Sequence, residues 1–294
     1  ENVPDDLLDT KLVLKIKRNN DRTIDKYKAR LTCRGFLQRY GLDYRSTESP
    51  VVNKGTFKLV LSNSKRLGRK RKLVDFAGAF LYPILKEEIW IKAPDQYIKP
   101  GVALKLLKTL YGLKQASHEW FQLLSKTLKE MGFIQHREDV DTCLFTHEKW
   151  DINIVSHVDD CLVDYSEETY FKKLTKRLTE CGFEYTESEK VLRVLGLTIT
   201  ENEDSITISQ PKYVEEMLQE FDQSKCTERS VPPTEWFKET SENDEEFDNN
   251  TFRSAIGCLA YLARMSRPDI EWITFHLATF VSKPCKRHWE AIIQ

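Results

Sequence analysis

The sequence predicts an α+β fold in which short strands and amphipathic helices follow one another along the chain. Residues 13–17 and 26–34 alternate apolar and polar side chains, which is the period of a half-buried strand. Between Trp120 and Met131, apolar residues instead recur at helical spacing. With 294 residues, 40% of them hydrophobic, the chain is long enough for one large domain with an appendage or for two domains. No apolar run approaches the roughly 18 residues of a membrane span, so we expect no membrane partner.

Charge is distributed unevenly, although the formal net charge is only -1. Residues 1–72 contain 19 Lys and Arg against 8 Asp and Glu, whereas residues 200–250 contain 4 against 15. This asymmetry indicates an anionic partner at the basic end, with nucleic acid as the first candidate. The seven cysteines are scattered and form no Cys-x-x-Cys pair. Their pattern argues against a disulfide framework or a zinc knuckle and for a reducing compartment.

The basic end of the chain is predicted to begin with two strands. Residues 19–22 have the composition of a turn between the two alternating runs. Period two places Lys26, Lys28 and Arg30 on one strand face, which is either solvated or turned towards an anionic ligand. Six of the eight residues in 65–72 are basic. This cluster is interpreted as a nuclear-import signal, a phosphate-binding patch or a solvated loop.

Further elements can be assigned in chain order from their apolar spacing and their turn residues. Residues 234–250 are acidic and poor in apolar side chains, so we interpret them as a linker. The remaining predicted elements are a helix over 56–63, strands at 73–81 and 86–91, a helix ending at Gly132, two strands with a tight turn in 152–165, a helix over 167–182, a hairpin of 194–199 and 205–209, and helices over 210–221, 252–265 and 270–281.

Asp159 and Asp160 are candidate metal ligands. The turn composition of a double Asp is by itself a sufficient explanation for the pair. The residues on either side are apolar, however, so the carboxylates end buried strands, where adjacent negative charges repel each other and require a cation. Asp75 has a similar apolar setting. Three convergent carboxylates suit Mg²⁺. Together with the basic strand around Lys28 and Arg30, they predict metal-dependent nucleotidyl or phosphoryl transfer on nucleic acid.

Motifs over nearly the whole chain resemble those of one family, the reverse transcriptases of copia-type LTR retrotransposons. The most specific are LYGLKQA at 110–116 and, further along, VDD at 158–160. The matching segments are YKARLTCRGFLQRYGLDY (27–44), ESPVV (48–52), VDFAGAFLYPILKEEIWIKAP (74–94), LKTLYGLKQASHEWF (107–121), VDDCLV (158–163), VLGLTI (194–199), SAIGCLAYLARMSRPDI (254–270) and FVSKP (280–284).

The resemblance implies a right-hand polymerase fold with fingers, palm and thumb, followed by the helical start of a connection region. Residues 1–225 would form the fingers, palm and thumb, residues 226–250 an acidic linker, and residues 251–294 a truncated connection segment leading towards an absent RNase H domain. The implied activity is RNA-directed DNA polymerase, using two Mg²⁺ ions that Mn²⁺ can replace. The implied partners are an RNA or DNA template with its primer, and deoxynucleoside triphosphates.

The resemblance also implies the roles of individual residues. Those implied to bind metal are Asp75, Phe76 through its backbone carbonyl, Asp159 and Asp160, and the three Asp are the implied catalytic residues. Those implied to bind nucleotide are Lys28, Arg30, Phe80 and Gln115, with the Phe80 ring leaving no room for a 2′-hydroxyl. Those implied to contact the primer are His157, Leu195 and Gly196.

Departures from the family pattern keep an alternative open. His157 stands where the family usually has Tyr, and Gly78 loosens the stretch that the family commonly writes D-V-K-T-A-F. We also expect the chain to be a fragment of a polyprotein. The alternative is a catalytically inactive or domesticated remnant that binds nucleic acid without polymerising. In either case we expect an intracellular protein of cytoplasmic particles, and residues 65–72 leave nuclear entry open.

Overall fold

The computed structural model describes residues 6–18, 23–94, 101–188, 193–224, 238, 241 and 243–293. These residues form a mixture of helices and strands, as the predicted α+β class requires. The chain divides into two units, residues 1–190 and residues 191–294, and each is described by itself. Within the described residues, no helix is both long enough and apolar enough to cross a membrane.

The first unit is built on antiparallel sheets. Its strands are β1 (Thr10–Arg18), β2 (Ile24–Cys33), β3 (Lys70–Phe76), β4 (Trp90–Lys92), β5 (Ala103–Lys105), β6 (Ile134–Gln135), β7 (Leu144–His147), β8 (Ile152–His157), β9 (Asp160–Tyr165) and β10 (Tyr185–Ser188). Its helices are α1 (Lys54–Arg66), α2 (Ala116–Glu130) and α3 (Glu168–Glu180). The strands β10, β3, β9, β8, β7 and β6 form the central sheet in that order, while β1 pairs with β2 and β4 with β5.

Most elements predicted for this unit are confirmed. The two strands around the double Asp are β8 and β9, and the helix that ends near Gly132 is α2. The strand predicted over residues 86–91 is wrong in its bounds. It starts only at Trp90, where the pairing with β5 begins. The strand predicted over residues 73–81 is also wrong in its bounds, because the strand runs from Lys70 to Phe76 and the chain then turns at Ala77 and Gly78. The turn predicted at residues 19–22 lies outside the described residues.

The basic cluster at residues 65–72 is not a solvated loop. Its first two residues complete α1, and its last three begin β3. Between them, Gly68 has a φ of 63°, which glycine adopts without strain as α1 ends. The loop interpretation is therefore wrong, whereas nuclear import and phosphate binding stay predictions.

β1 and β2 form a hairpin with one basic face. Lys28 lies directly opposite Lys15. Two residues away along each strand, Lys26 lies opposite Lys17. Because opposite residues of antiparallel strands project to the same side, these four side chains share a face with Arg30. The predicted common face of the three basic residues on β2 is thereby confirmed.

One face of the central sheet forms the core of the first unit with α2 and α3. The apolar side chains that meet there are Val74, Phe76, Leu124, Leu128, Ile154, Cys161, Val163, Leu174 and Leu178, all of them buried. Positions four residues apart on each helix supply this stripe, as the sequence predicted for α2. The other sheet face carries the side chains of Asp75 and Asp160, which alternate with the buried ones.

The second unit combines a small sheet with helices. Its elements are β11 (Arg193–Val194), β12 (Leu197–Glu201), β13 (Ile206–Ser209), α4 (Pro211–Glu220), α5 (Asn249–Met265), α6 (Glu271–Ala278) and α7 (Lys286–Ile292). The antiparallel pairing of β12 with β13 confirms a hairpin here. Its first strand begins at Leu197 and not at residue 194, because Leu195 and Gly196 turn the chain.

Two predicted helix bounds in the second unit need correction. α6 ends at Ala278 and not at residue 281, because the Thr279 N–H turns back to the His276 carbonyl and its hydroxyl donates to the same oxygen (2.7 Å). α5 already begins at Asn249, within the predicted linker 226–250, where the Asp248 carboxylate caps the helix. Much of that linker lies outside the described residues.

Candidate active site

Two carboxylates face each other across neighbouring strands of the central sheet. Asp75, near the end of β3, lies directly opposite Asp160, the first residue of β9. Asp160 in turn lies opposite His157, the last residue of β8. Side chains in directly opposite positions share a sheet face, with Cβ atoms about 4.5–5.5 Å apart. Like charges in such positions destabilise a sheet, so folding alone does not explain this pair.

Asp159 lies in the two-residue turn that joins β8 to β9. Its neighbour Val158 has a φ of 57°, a left-handed conformation that is strained for a β-branched residue. The Trp120 indole N–H donates a hydrogen bond to the Val158 carbonyl (2.6 Å). The Phe76 N–H donates to the Asp159 carbonyl (3.0 Å). The turn is thus held from two sides beside the end of β3, and backbone strain that neighbours maintain is typical of functional sites.

The acidic side chains at this end of the sheet disfavour one another's ionised forms. Burial raises the pKa of Asp160 to about 6, and the charges of Asp159 and Asp75 add to the increase. Burial and the charge of Asp159 also raise the pKa of Asp75. Within the described residues, the salt bridges of the first unit all involve other acidic groups. The site therefore holds negative charge that no basic side chain of the described residues neutralises by direct contact.

The donor set has the chemistry that a hard divalent cation requires. Mg²⁺ prefers carboxylate oxygens and retains several water ligands, so a few carboxylates suffice. In the part of the chain that the structure describes, no group of three or more His, Cys, Asp or Glu side chains is arranged to hold a metal ion. The carboxylates are thus neighbours and not an assembled ligand set. The metal-binding roles of Asp75, Asp159, Asp160 and the Phe76 carbonyl stay predictions, which the charge of the site favours.

The basic face of the hairpin adds positive charge to this site. Three of its lysines counteract the rise in the Asp75 pKa: Lys17, Lys28 and Lys26. Burial and repulsion from neighbouring basic groups, Arg30 first among them, lower the pKa of Lys28, while Asp75 opposes that shift. The structure therefore brings the predicted phosphate-binding strand and the predicted metal-binding strand within electrostatic reach of each other.

Arg30 and Phe80 are linked by a residue that the sequence analysis did not single out. The Arg30 guanidinium carbon lies 5.2 Å from the centroid of the Tyr111 ring. The Phe80 ring packs edge-to-face on Tyr111, with centroids 5.7 Å apart and planes at 78°. Tyr111 belongs to the LYGLKQA motif. The one sequence feature that could have identified Tyr111 is an aromatic residue directly before a glycine.

Gln115, from the same motif, is buried and hydrogen-bonded within the protein. Its side-chain amide donates to the Asp43 carbonyl (2.8 Å) and accepts from the Gln38 amide (3.0 Å). Gln38 in turn accepts from the Lys114 N–H (2.7 Å). This network attaches residues 38–43 to the start of α2. The nucleotide contact expected of Gln115 stays a prediction, and a direct contact would require the network to open.

The predicted primer contacts lie in different units. Burial lowers the pKa of His157, although the charge of Asp159 opposes the shift. The His157 Nδ1 atom is buried and has no hydrogen-bond partner among the described residues. In the second unit, Leu195 (φ 57°) and Gly196 (φ 74°) form the turn between β11 and β12. A Cβ at Gly196 would lie 2.7 Å from the Tyr261 hydroxyl. The positive φ of residue 196 favours glycine there, and the primer contacts stay predictions.

Comparison with known proteins identifies relatives. A family model described as reverse transcriptase (RNA-dependent DNA polymerase) matches residues 4–235. The retrovirus-related Pol polyprotein from transposon TNT 1-94 of Nicotiana tabacum is 29% identical, over 97% of this chain and 22% of that protein. The Pol polyprotein from transposon RE1 of Arabidopsis thaliana is 28% identical, over 94% of this chain and 19% of that protein. The transposon Ty1-LR2 Gag-Pol polyprotein of Saccharomyces cerevisiae is 28% identical over 49% of this chain. The chain spans about a fifth of the length of the two plant polyproteins.

Proposed function

Because this chain belongs to the copia-type reverse transcriptase family, we propose that its first unit contains a polymerase active site that adds deoxynucleotides to a primer 3′ end on an RNA template. The observation that carries the proposal is the cross-strand pair of Asp75 and Asp160, with Asp159 in the adjoining strained turn. Phosphoryl transfer depends chiefly on positioning and on stabilising charge, and this site is arranged for both.

In this proposal the elements take the parts of a right-hand polymerase. The β1–β2 hairpin belongs to the fingers and the central sheet to the palm. Residues 1–225 together comprise the fingers, the palm and the thumb. Residues 226–250 link this part to a connection segment, residues 251–294. The distribution of charge supports the assignment, because the hairpin presents lysines while the sheet presents carboxylates.

Asp75, Asp159 and Asp160, with the Phe76 carbonyl, would hold two Mg²⁺ ions, which Mn²⁺ can replace. Bound there, the ions would stabilise charge on the attacking and leaving oxygens of the displacement. The protein's own part is to fix the ligands. Two of the carboxylates stand on paired strands, and the third stands on a turn that Trp120 and Phe76 hold in place.

The basic face of the hairpin would bind the triphosphate of the incoming nucleotide. Lys28 and Arg30 are half-buried on that face, and their charges favour phosphate oxygens. Phe80 would exclude a ribose 2′-hydroxyl by its bulk. Its backbone is held by the Thr109 hydroxyl, which donates to the Phe80 carbonyl (2.5 Å). The remaining partners are the RNA or DNA template and its primer, and the cellular role is transposition within a longer polyprotein of cytoplasmic particles.

A second candidate function is nucleic-acid binding without polymerisation. His157 favours it, because a smaller, polar ring stands where the family usually has Tyr and leaves its Nδ1 atom buried without a partner among the described residues. The basic hairpin would then bind the phosphate backbone, and binding would weaken with salt.

Primer extension by the purified chain on an RNA template, with Mg²⁺ or Mn²⁺, tests the two candidates. The test variant is Asp159→Asn. The matched control is Asp139→Asn, at an exposed position beside β6, the edge strand of the central sheet. We expect the wild type and Asp139→Asn to extend the primer and Asp159→Asn to lose at least about 10³-fold in rate, the scale of an essential charge-stabilising group.

The outcomes separate the candidates. Extension that survives Asp159→Asn contradicts the proposed active site. A wild type that binds primer and template in a salt-sensitive manner but extends nothing in either metal favours the second candidate.

A further inference from the structure

We infer that Tyr111 is a positioning residue of the deoxynucleotide pocket, and that it sets sugar selectivity by holding the Phe80 ring and the Arg30 guanidinium in place. Gln115 acts indirectly, by securing the loop that carries Tyr111. This inference rests on the proposed polymerase function. It adds a determinant of the choice between deoxyribose and ribose.

The Tyr111 ring contacts two of the residues to which nucleotide roles are proposed, Phe80 and Arg30. The edge-to-face contact with Phe80 restricts the orientation of the Phe80 ring, because aromatic pairs prefer this geometry. The Arg30 guanidinium lies over the ring of Tyr111, where the ring quadrupole attracts it. Arg30 Nε is buried and has no hydrogen-bond partner among the described residues, so its donor capacity is unused within the protein. One ring thus sets the distance between the group that excludes the 2′-hydroxyl and a group that binds phosphate.

The loop on both sides of Tyr111 is attached to the segments that carry Arg30 and Phe80. The Cys33 N–H, at the end of the strand that carries Arg30, donates to the Tyr111 carbonyl (2.8 Å). Gly112 has a φ of 87°, and a Cβ there would lie 2.2 Å from the Cys33 carbonyl oxygen, so only glycine permits this approach. On the other side, Thr109 donates to the Phe80 carbonyl. The loop is therefore attached to β2 and to the Phe80 segment at once.

Gln115 secures the C-terminal end of this loop. It is 1% exposed, and both ends of its amide are used by Gln38 and the Asp43 carbonyl. A ligand cannot reach this amide without displacing those partners, which would leave buried polar groups unsatisfied. Any effect of Gln115 on nucleotide binding must then pass through the loop.

Single-nucleotide incorporation of dGTP and of GTP by the full chain, on an RNA template with a DNA primer in Mg²⁺, tests the inference. The variants are Tyr111→Leu, Tyr111→Met and Tyr111→Phe. The control is Tyr170→Leu, because Tyr170 is also half-buried under a cation, with Lys173 Nζ 4.9 Å from its ring centroid, but lies on α3. The readout is the ratio of kcat/KM for dGTP to that for GTP.

We expect both variants without a ring to lower this ratio at least about tenfold, which is the combined scale of one aromatic pair and one cation–π contact. Tyr111→Phe should retain the wild-type ratio, since it retains the ring, and Tyr170→Leu should also retain it. Gln115→Ala should lower the ratio in the same direction by a smaller factor. A direct nucleotide contact by Gln115 would instead raise KM for both nucleotides equally.

The experiment separates failure of this inference from failure of the proposed polymerase function. An active wild type whose ratio is unchanged in Tyr111→Leu and Tyr111→Met overturns the inference and leaves the proposed function intact. A ratio that falls as far in Tyr111→Phe shows that the hydroxyl acts and not the ring, which also overturns it. A wild type that incorporates neither nucleotide removes the proposed function, and the inference with it.

Discussion

Strands β3 and β9 bring carboxylates to the same sheet face near both of their ends, in opposite electrostatic settings. At one end, Asp75 and Asp160 lie opposite each other, and within the described residues neither forms a salt bridge. Near the other end, Asp164 is 1% exposed, and its charge is compensated. Arg69 Nε (2.7 Å) and Asn153 Nδ2 (2.9 Å) both donate hydrogen bonds to its carboxylate. Both ends thus hold a carboxylate that is at least partly buried. They differ in whether the fold itself supplies a positive charge beside it.

Arg69 is the source of that difference. It also bonds the Asp151 carboxylate, at 2.6 Å. Burial alone would lower the pKa of Arg69, but its bonds to Asp151 and Asp164 outweigh this effect and raise the pKa. A buried carboxylate that the protein neutralises has a structural explanation. One that it leaves opposite a second carboxylate has a cost, which a bound cation would remove, and this contrast supports the proposal that the Asp75 end of the strands is the functional one.

The largest effect that tests this contrast is the loss of Arg69. Arg69→Met removes the countercharge and leaves Asp164 buried with Asn153 as its remaining donor. Breaking a buried ion pair in this way costs about 3–5 kcal/mol, so we expect the free energy of urea unfolding of the first unit to fall by that amount. The measurement is the unfolding midpoint and slope, followed by tryptophan fluorescence.

The control for Arg69→Met is Arg39→Met. Arg39 is paired with Asp6, but the two side chains are 53% and 71% exposed, so solvent screens the pair and its loss should cost at most about 1 kcal/mol. Equal losses in the two variants would show that the end of the strands near Asp164 is no more dependent on charge compensation than the surface.

The two ends also differ in how far the sequence could reveal them. Asp159 and Asp160 were found because adjacent Asp residues in an apolar setting are conspicuous, and the tight turn between their strands followed from local patterns alone. The pairing of Asp164 with Arg69 was not found. It depends on the register between strands that are distant in sequence, and Arg69 was read only as part of a basic cluster. Local periodicity gives the elements, whereas tertiary pairing decides which charges meet.

The residues proposed to contact the nucleotide repeat this lesson within a single motif. The family resemblance directed attention to Gln115, but the fold buries that side chain against Gln38. Tyr111, four positions earlier, reaches Arg30 and Phe80 because Gly112 lets the loop approach β2. The conformation of a loop is not encoded in any period, so the sequence could name the motif but not the side chain that meets its neighbours.

A smaller effect is expected from removing charge at the acidic end. Asp160→Asn removes a carboxylate whose ionised form is disfavoured first by burial and then by two neighbouring carboxylates. In a chelating buffer it should therefore stabilise the folded protein at pH 7.5 by about 1–2 kcal/mol, a figure that allows for partial solvent screening. The sign follows from a folded-state pKa of about 6, raised from 3.8. Well below pH 3.8 the carboxyl is protonated in both states, and the penalty is absent. As pH rises towards 6 the penalty develops, and above that value it is fully present.

The gain from Asp160→Asn should therefore be present at pH 7.5 and largely gone at pH 3, as followed by thermal unfolding. Asp139→Asn serves as the control, because its exposed carboxylate should give no such pH-dependent gain. Destabilisation by Asp160→Asn at pH 7.5 would mean that the folded protein compensates the Asp160 charge after all. The two ends of the strands would then be electrostatically alike.

The smallest effect concerns the strained turn that carries Asp159. Val158→Gly removes the Cβ from a residue with a φ of 57°, so we expect the folded protein to gain about 0.5–1 kcal/mol in unfolding free energy. Primer extension should fall severalfold, because a glycine turn holds Asp159 less firmly beside Asp75. Asp222→Gly is the control, since Asp222 has a φ of 56° just after α4 and should gain stability without any change in extension. A Val158→Gly protein that is more stable and equally active would show that this strain serves no catalytic purpose. The unpaired charge would then be the one feature that sets the acidic end of the strands apart.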